Sequence, residues 1–458
     1  MADIIINLED VDIQTENSFK QLIISAVENF STGKISIKDY NLSMPVAREL
    51  MYEIAQSNPE YFYFEPNNSN IAYDSDFYDQ TGVEWAASVY PAYIENAQNK
   101  AIFVEQVADE IISGINDSMN DIEKALYVHD YIVLNYSYDQ RIYTDPGSAV
   151  YDIYSFFEQE TGVCQAYTKA YEYIMDYKLG IPTNTVTSGA MGHMWNVMQI
   201  DGNWYHIDVT WDDPVPDAKD RVSHNHFLVS DSRISYNDDG SPSHYDWNYP
   251  RNQSVECFDT TYDAHWWRDV TGQICIIDGL WYSIDGNNLF CARDVKSGEI
   301  IENAFSFTVE EDKWYLWNYE AMYWPDNYSV VLKYGDIFIY NLTEDIYAVN
   351  SKNSKKKLIA NIPKSEHNNY LIYGLEIDEN GMLYAILQNN PQDDFFGNPV
   401  MSEKVFVCNV NDITFGLQNI RRGNRIPKEI QRVVNGEMKK AVAVYRVVNG
   451  SLIKFWEE

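Results

Sequence analysis

One cysteine of this sequence is well placed to act as a nucleophile. Cys164 stands in the run GVCQAY, directly before a helical stretch over residues 165–179 that Gly180 ends as its C′ residue. At a helix N-terminus the macrodipole and the free backbone N–H groups favour a thiolate, and the same N–H groups can bind an oxyanion. The position therefore predicts a reactive thiol.

A predicted β-hairpin lies downstream of this cysteine. Residues 193–200 and 203–212 alternate like two strands. Asp201-Gly202 between them is a strong signal for a two-residue turn. With that turn, Ile200 pairs with Asn203, which fixes the predicted register of the whole hairpin.

This register predicts a catalytic arrangement. Continued along the strands, it places Trp195 opposite Asp208 and His193 opposite Thr210. His193 and Asp208 then become diagonal neighbours on one face, about 7–8 Å apart, which side chains can span. A carboxylate there can hold the imidazole while its other ring nitrogen serves Cys164. The spacing thus predicts a Cys–His–Asp triad.

The remaining histidines of this region are interpreted as structural. His129 lies within a predicted helix and has no partner visible in the sequence. His206 is expected to point away from His193 because side chains alternate along a strand. His224 and His226, spaced His-x-His, could join His193 on a metal ion, but no ordered set of carboxylates or thiolates completes such a site. The sequence therefore predicts no metal ion and no cofactor.

The motifs together resemble the transglutaminase-like superfamily. Three runs carry the resemblance in order: GVCQAY, GHMWN and DGNWYHIDVTWDDP. The similarity extends backwards through LYVHDY and NYSYD and forwards through FLVSD, so it covers about residues 118–231. It implies the papain-like cysteine fold that transglutaminases share with many bacterial proteases.

The resemblance also implies roles for individual residues. The triad of the family corresponds to Cys164, His193 and Asp208, with a thioester that an amine or water resolves. Tyr138 stands where such proteins often place an aromatic side chain near the nucleophile, so it is a candidate oxyanion donor. Gln165 follows the cysteine as in the bacterial branch and is a candidate for substrate contact. No calcium-site pattern of the animal transglutaminases is visible in the sequence.

The tryptophans of the motifs allow two interpretations. Trp195, Trp204 and Trp211 are expected to pack around the site. Trp195 could instead flank a substrate groove, which makes it a further substrate-binding candidate.

By pattern, the chain divides into three parts. Residues 1–117 form a predicted helical N-terminal region, because apolar residues recur there at helical spacing. Residues 118–259 form the predicted transglutaminase-like core. Residues 260–458 alternate short β-like runs with turns and form a predicted β-rich domain. The predicted fold class is α+β.

A weak repeat in the β-rich part favours a propeller-like domain. Gly279, Gly335 and Gly381 mark similar units at spacings of 56 and 46 residues, near the length of a propeller blade. An all-β sandwich is the alternative. The many tyrosines and tryptophans of this part are interpreted as strand-forming core residues, with a carbohydrate or cell-wall surface as the functional alternative.

Composition excludes several classes of partner. The 458 residues include 33 basic and 69 acidic side chains, which gives a formal net charge of −36. Such a charge repels nucleic acid and anionic membrane surfaces. No stretch reaches the roughly 18 apolar residues of a membrane helix, and the first ten residues do not resemble a signal peptide.

The cysteine content is low and odd in number. Five cysteines without a CxxC motif do not form a disulfide framework or a thiolate zinc site. Cys275 and Cys291 are the best candidates for a disulfide, because both fall in strands predicted to be adjacent. Sparse cysteines also suit a secreted protein of an organism that avoids disulfides. The cysteine content by itself leaves the compartment open, and an extracellular or cell-surface location is the expectation.

The predicted function is acyl transfer through a cysteine thioester on a peptide or glutamine-type amide. Protease or amidase activity is favoured over transglutaminase crosslinking, because water is always present and no amine site is visible in the sequence. The predicted partner is a peptide or protein substrate, with a cell-wall-associated protein as one option. The alternatives are a non-catalytic surface or adhesion module that retains the fold, and a metal-dependent hydrolase.

Overall fold

The computed structural model describes most of the chain in two compact units, Met1–Ile413 and Thr414–Glu458. It describes residues 12–415 except 76–77, 79–81, 83, 216, 218–220, 238–239, 250–254, 271, 317–320, 324 and 390–400, and four strands between residues 431 and 457. Among the described residues, no helix has the length and apolarity needed to cross a membrane.

The helices of the first unit are α1 (Ile13–Glu28), α2 (Met44–Ser57), α3 (Ala97–Ile112), α4 (Asp121–Asn135), α5 (Ile153–Gln159), α6 (Cys164–Glu172), α7 (Val209–Asp212), α8 (Asp231–Ile234) and α9 (Pro325–Tyr328). Helix α6 continues as a π-helix over Tyr173–Lys178, and the chain leaves it through Gly180 at φ +67°. The predicted helix and its glycine end are therefore both present.

The strands before residue 260 are β1 (Ile35–Ser36), β2 (Asn70–Tyr73), β3 (Ala86–Tyr90), β4 (Ser137–Tyr138), β5 (Thr161–Gly162), β6 (Thr183–Ser188), β7 (His193–Ile200), β8 (Asn203–Ile207) and β9 (Phe227–Val229). They form a three-stranded sheet β1-β3-β2, the short parallel pair β4-β5, and a four-stranded sheet β6-β7-β8-β9.

The strands after residue 260 are β10 (Cys275–Ile277), β11 (Leu280–Ile284), β12 (Leu289–Arg293), β13 (Phe307–Thr308), β14 (Trp314–Leu316), β15 (Ala321–Tyr323), β16 (Val331–Tyr334), β17 (Ile337–Asn341), β18 (Asp345–Asn350), β19 (Lys356–Asn361), β20 (Leu371–Ile377), β21 (Met382–Gln388) and β22 (Ser402–Asn409). The second unit contributes β23 (Gln431–Val434), β24 (Glu437–Lys440), β25 (Ala443–Val448) and β26 (Ser451–Glu457), paired as two hairpins.

The N-terminal region is more mixed than predicted. Its helices α1 and α2 present the expected apolar stripes, and both pack against the sheet β1-β3-β2 in one hydrophobic cluster. The sequence pattern predicts the helices but not this sheet, because β1 has only two residues and β2 only four. Such short strands carry too few alternations to show a period of two.

A close backbone approach fixes the start of α6. A Cβ atom on Gly162 would lie 2.6 Å from the Phe156 ring and 2.7 Å from the Ala166 side chain. Only glycine therefore lets β5 pass directly into α6 at this distance from α5. This contact sets the position of Cys164, two residues further along the chain.

The β-rich part is built from consecutive antiparallel sheets. These are β10-β11-β12-β13, β14-β15, β16-β17-β18-β19 and β20-β21-β22. In the part of the chain that is described, no closed propeller or barrel is found, so the propeller-like prediction is not confirmed. The α+β class is confirmed by the helices and sheets together.

The predicted disulfide is wrong. Cys275 lies in β10 and pairs with Tyr282, whereas Cys291 lies in β12 and pairs with Ser283. Strand β11 therefore separates the two cysteines, and all five cysteines of the chain are free. The sequence pattern predicts all three strands, but not that the middle one pairs with both of the others.

A single hydrophobic core extends past both predicted boundaries of the central part. It begins at Val104 on α3 and includes Trp267, Trp281 and Val295 beyond residue 260. The boundaries at 117/118 and 259/260 stay predictions.

Arg268 links the segment after residue 260 to the sheet edge. Its guanidinium donates hydrogen bonds to the carbonyl oxygens of His224, Phe227, Leu228 and Tyr262. Leu228 is the extra residue of a β-bulge between β8 and β9 and has φ +53°. One side chain therefore binds the carbonyls of a bent and strained edge strand.

Candidate active site

Cys164 is the first residue of α6, as the sequence predicts. The preceding N-cap residue, Val163, has an apolar side chain that cannot accept hydrogen bonds from the first-turn N–H groups. Those groups and the positive end of the helix are therefore directed at the region of the thiol. The Cys164 side chain is partly exposed to solvent.

The hairpin register is confirmed, but its second strand is shorter than predicted. Ile200 pairs with Asn203, and the same register continues to Asn196 and Ile207. There β8 ends, and residues 209–212 form the helical turn α7 instead of a strand. The predicted pairings of Trp195 with Asp208 and of His193 with Thr210 are therefore wrong. The Asp208 side chain accepts hydrogen bonds from the backbone N–H groups of the next residues, which favours a turn over a strand.

His193 and Asp208 nevertheless meet. His193 Nε2 lies 2.6 Å from Asp208 Oδ2, and the other carboxylate oxygen accepts the N–H groups of Thr210 (3.0 Å) and Trp211 (3.2 Å). Asp208 thus serves both as the N-cap of α7 and as the partner of His193. Since Nε2 is engaged, Nδ1 is the ring nitrogen left to serve Cys164.

The electrostatics favour an ion pair at this site. Burial by itself lowers the pKa of His193, but the Asp208 carboxylate and a hydrogen bond with Cys164 outweigh it and raise this pKa to about 10. Burial would raise the pKa of Asp208, but the charge and hydrogen bond of His193, with a further bond from His244, hold it well below its usual range. The arrangement therefore stabilises an imidazolium between a carboxylate and the thiol.

His244 is a component of the site that sequence reasoning missed. Its Nε2 lies 2.9 Å from Asp208 Oδ2, and its Nδ1 lies 2.9 Å from the Ser243 hydroxyl. Burial lowers the pKa of His244, so it stays neutral and donates Nε2–H to the carboxylate. His244 lies outside the three motifs, and no spacing rule links it to Asp208.

The three other candidate residues, Tyr138, Gln165 and Trp195, differ in how far their side chains are exposed to solvent. Tyr138 is half-buried, and its pKa is raised mainly by burial and in part by the charges of Tyr143 and Cys164. Gln165 is exposed at the first turn of α6. Trp195 is 1% exposed and stacks on His193 with ring centroids 5.6 Å apart, so its placement fits packing rather than a groove wall.

Trp211 is an aromatic residue of the site that faces solvent. Its side chain is 41% exposed, and its ring centroid lies 5.5 Å from that of His193 and 4.3 Å from that of His244. The sequence pattern predicts only packing for this residue. Its exposure follows from the turn α7, which the strand prediction did not anticipate.

His206 does not face away from this group, so that prediction is wrong. Strands β7 and β8 pair Val197 with His206, and paired residues of an antiparallel sheet share a face. His206 Nδ1 therefore accepts a hydrogen bond of 2.9 Å from Trp195 Nε1, while its Nε2 bonds Asp231 Oδ1 at 2.8 Å. His206 holds the tryptophan on which His193 stacks.

A second cluster of histidines and carboxylates lies in the core. His129 Nδ1 lies 2.8 Å from Asp130 Oδ1, and His129 Nε2 lies 3.2 Å from Asp212 Oδ2. His224 Nε2 bonds Asp130 Oδ1 at 3.0 Å, and His226 Nδ1 bonds Asp212 Oδ1 at 3.0 Å. His129 is therefore not without partners, and His224 and His226 bond carboxylates of this cluster rather than joining His193 on a metal ion.

Three groups of side chains among the described residues converge closely enough to hold a metal ion. Within each group the potential ligand atoms lie no more than 4.8 Å apart. The groups are His129 with Asp130 and His224, His193 with Asp208 and His244, and His206 with Asp231 and Cys257.

A match to a known protein family supports the assignment of the central part. Residues 105–209 match the family model described as the transglutaminase-like superfamily. A search of curated proteins found no match. A solved structure described as "Crystal structure of a TGase" aligns with 31% of this chain at 13% identity and a TM-score of 0.22, and the chain spans about half (49%) of that structure's length. The segment that matches the family model contains Cys164 and His193 and ends one residue after Asp208. The chain therefore carries a transglutaminase-like domain.

Proposed function

We propose that this protein cleaves peptide bonds or glutamine-type amides by thiol-dependent acyl transfer at Cys164. The observation that carries the proposal is the alignment of the helix-terminal Cys164 with His193 and the buried Asp208. Each group has the position that a nucleophile, a general acid–base and an orienting carboxylate require.

The first half of the reaction forms a thioester. The Cys164 thiolate attacks the carbonyl carbon, and the developing oxyanion is stabilised by backbone N–H groups at the start of α6. We assign Tyr138 as a further donor to that oxyanion. The tetrahedral intermediate collapses by breaking the C–N bond, and the His193 imidazolium gives its proton to the departing amine.

The second half resolves the thioester. His193, now neutral, takes a proton from water, the resulting hydroxide attacks the thioester carbonyl, and the C–S bond breaks to release a carboxylic acid and the thiolate. Asp208 holds the imidazole in one orientation throughout, because two backbone N–H groups fix the carboxylate from its other side. Hydrolysis is favoured over crosslinking because water is always present as the acceptor.

Solvent access at the site supports a catalytic use. The His193 side chain is 9% exposed, and the partly exposed Cys164 and the exposed Trp211 lie beside it. A substrate can therefore reach the thiol from outside, with Trp211 as an apolar wall for its side chain. A protein that kept the fold only as an adhesion module would have no need for an accessible thiol.

The test combines covalent labelling with turnover. A peptide library that includes glutamine side-chain amides should be cleaved or deamidated by the wild-type chain and not by Cys164→Ala. A peptidyl thiol electrophile should modify Cys164 alone. Cys257→Ala is the matched control, because burial raises the pKa of Cys257 and removes it from reaction. Absence of both turnover and selective labelling would favour the non-catalytic module instead.

A further inference from the structure

We propose that His129, Asp130 and His224 bind one divalent transition-metal ion, with Zn²⁺ as the best-fitting ion. The site lies in the core of the transglutaminase-like domain and is separate from the group around Cys164. It goes beyond the proposed acyl-transfer function and does not depend on it.

Three potential ligand atoms converge here from two parts of the chain. His129 and Asp130 come from α4, and His224 comes from the segment before β9. His129 Nδ1 lies 2.8 Å and His224 Nε2 lies 3.0 Å from the same oxygen, Asp130 Oδ1. Neighbouring nitrogen and oxygen ligands of a tetrahedral Zn²⁺ lie about 3.3 Å apart, so a small outward shift makes room for the ion.

The outer nitrogens of both imidazoles are already held as in metal sites. A histidine that binds a metal through one nitrogen usually donates its other N–H to a carboxylate or a backbone carbonyl. His129 Nε2 faces Asp212 Oδ2 at 3.2 Å, and His224 Nδ1 faces the Val270 carbonyl oxygen at 2.9 Å. Both inner nitrogens, His129 Nδ1 and His224 Nε2, can therefore present lone pairs to an ion.

An unsatisfied oxygen points to a missing ligand at the same place. Asp130 is 5% exposed, and its Oδ2 is buried without a hydrogen-bond partner among the residues that the structure describes. A buried acceptor that is left unpaired destabilises the fold. With a metal ion bound, one oxygen of Asp130 and the two imidazole nitrogens supply three protein ligands, and the unpaired second oxygen gains a cation beside it.

The charges also balance around a divalent cation. Asp130 and Asp212 are both buried and both bond His129. An ion of charge +2 neutralises these two carboxylates, with both imidazoles in the neutral form that binds metals. Metal binding requires that His129 Nδ1 and His224 Nε2 carry no proton.

The group around His206 fits a metal ion less well. Trp195 Nε1 donates to His206 Nδ1, so Nδ1 must carry a lone pair and Nε2 must carry the proton that bonds Asp231. A metal ion on Nε2 would require the proton to move to Nδ1, against the tryptophan N–H. In His129 and His224 the outer nitrogens face acceptors, so the inner nitrogens can carry the lone pairs that bind a metal ion.

The inferred role is structural. All three residues are buried, so a substrate has no access to the ion. The ion would join α4 to the segment before β9. Through the His129–Asp212 hydrogen bond it would also brace the turn α7, whose N-cap is Asp208.

The metal content of the purified full-length chain tests the proposal. The protein should carry a tag without histidines and should be measured by plasma mass spectrometry after incubation with Zn²⁺ and gel filtration. We expect about one ion per chain in wild type and a loss of at least tenfold in His129→Asn and in His224→Asn. His226→Asn is the matched control in the same cluster, and His244→Asn is the control for the other Asp–His group. Both controls should keep the ion.

Cobalt substitution keeps the test decisive if the variants fail to fold. Co²⁺ bound to wild type should give the visible bands of four-coordinate nitrogen and oxygen ligation, without a thiolate charge-transfer band. A thiolate band would move the ion to Cys164 or Cys257 and overturn the proposal. Absence of bound zinc in wild type, or retention of the ion in folded His129→Asn and His224→Asn, would overturn it too.

Discussion

Two clusters of buried carboxylates and histidines lie in the same domain and are built alike. In one, Asp208 Oδ2 bonds both His193 and His244. In the other, Asp130 Oδ1 bonds both His129 and His224. The first cluster reaches a partly exposed cysteine at a helix N-terminus, whereas His129 and His224 are fully buried and contact no thiol among the described residues.

The two clusters have similar carboxylate–histidine pairs and differ in whether a cysteine nucleophile lies beside the pair. Both pairs raise an imidazole pKa, to about 10 for His193 and to about 9 for His129, because neighbouring carboxylates outweigh the cost of burial. Only the pair that meets a nucleophile and solvent can move protons during a reaction. A perturbed pKa alone therefore does not distinguish a catalytic site from a structural one.

Removing the charge of Asp208 should produce the greatest difference between the two clusters. Asp208→Asn should lower turnover by about 10²–10⁴-fold, because an amide can hold His193 in the wrong tautomer. Asp212→Asn, in the other cluster, should lower the free energy of unfolding while turnover per folded molecule changes little. Rates must be normalised to the folded fraction. Equal losses of turnover in both variants would remove the distinction between the clusters.

Thiol reactivity should separate Cys164 from the other cysteines. At pH 7 we expect iodoacetamide to modify Cys164 about a hundredfold faster than the other four. Burial raises the pKa of Cys257, Cys291 and Cys408 and raises that of Cys275 to about 12, so these stay protonated. Peptide mapping after timed alkylation of the native protein measures the rates. Uniform labelling of all five sites would contradict the active-site assignment.

His244 should have a smaller, positioning effect. In His244→Asn the Asp208 oxygen loses its second donor, so we expect kcat to fall about tenfold with little change in KM. The pH profile of kcat should shift as well. In this variant the Asp208 carboxylate bonds the imidazole of His193 but no longer that of His244. Ser243→Ala should cost less than His244→Asn, since it removes only the hydroxyl at Nδ1. A change in KM alone would indicate that His244 contacts substrate instead.

The smallest expected effect is a dependence of stability on pH. The pKa of Asp208 is lowered on folding, so its contribution is present above about pH 4 and is lost as the pH falls further. The pKa of His193 is raised to about 10, so its contribution is complete below about pH 6.5 and is lost as the pH rises toward 10. Urea unfolding of wild type and Asp208→Asn should differ most between pH 4 and 6.5, and by about 1 kcal/mol less at pH 3. The difference should also shrink steadily as the pH rises from 6.5 toward 10. A pH-independent difference would mean that the two groups do not form an ion pair.

Local signals in the sequence predicted the parts of the site that lie within one element. The start of α6 at Cys164 followed from the helical run and its glycine end, and the register of β7 and β8 followed from Asp201-Gly202, which have φ +50° and +86°. The exit from β8 was not predictable by alternation, because the Asp208 side chain turns the chain by bonding its own backbone. Partners such as His244 depend on tertiary packing over long sequence separations, which no pattern within a motif encodes.

The hydrogen bonds of the Arg268 guanidinium determine how long a fragment must be if this domain is to be moved into another protein. Its four acceptor carbonyls include those of His224, Phe227 and Leu228, which belong to or precede the edge strand of the sheet that carries His193. A transplanted fragment that stops at residue 260 would leave these carbonyls without their donor. It would also lose the Val270 oxygen that orients His224. The unit that evolution or an engineer can move intact therefore extends beyond the family match, at least to Val295, whose carbonyl accepts hydrogen bonds from His265 and Trp266.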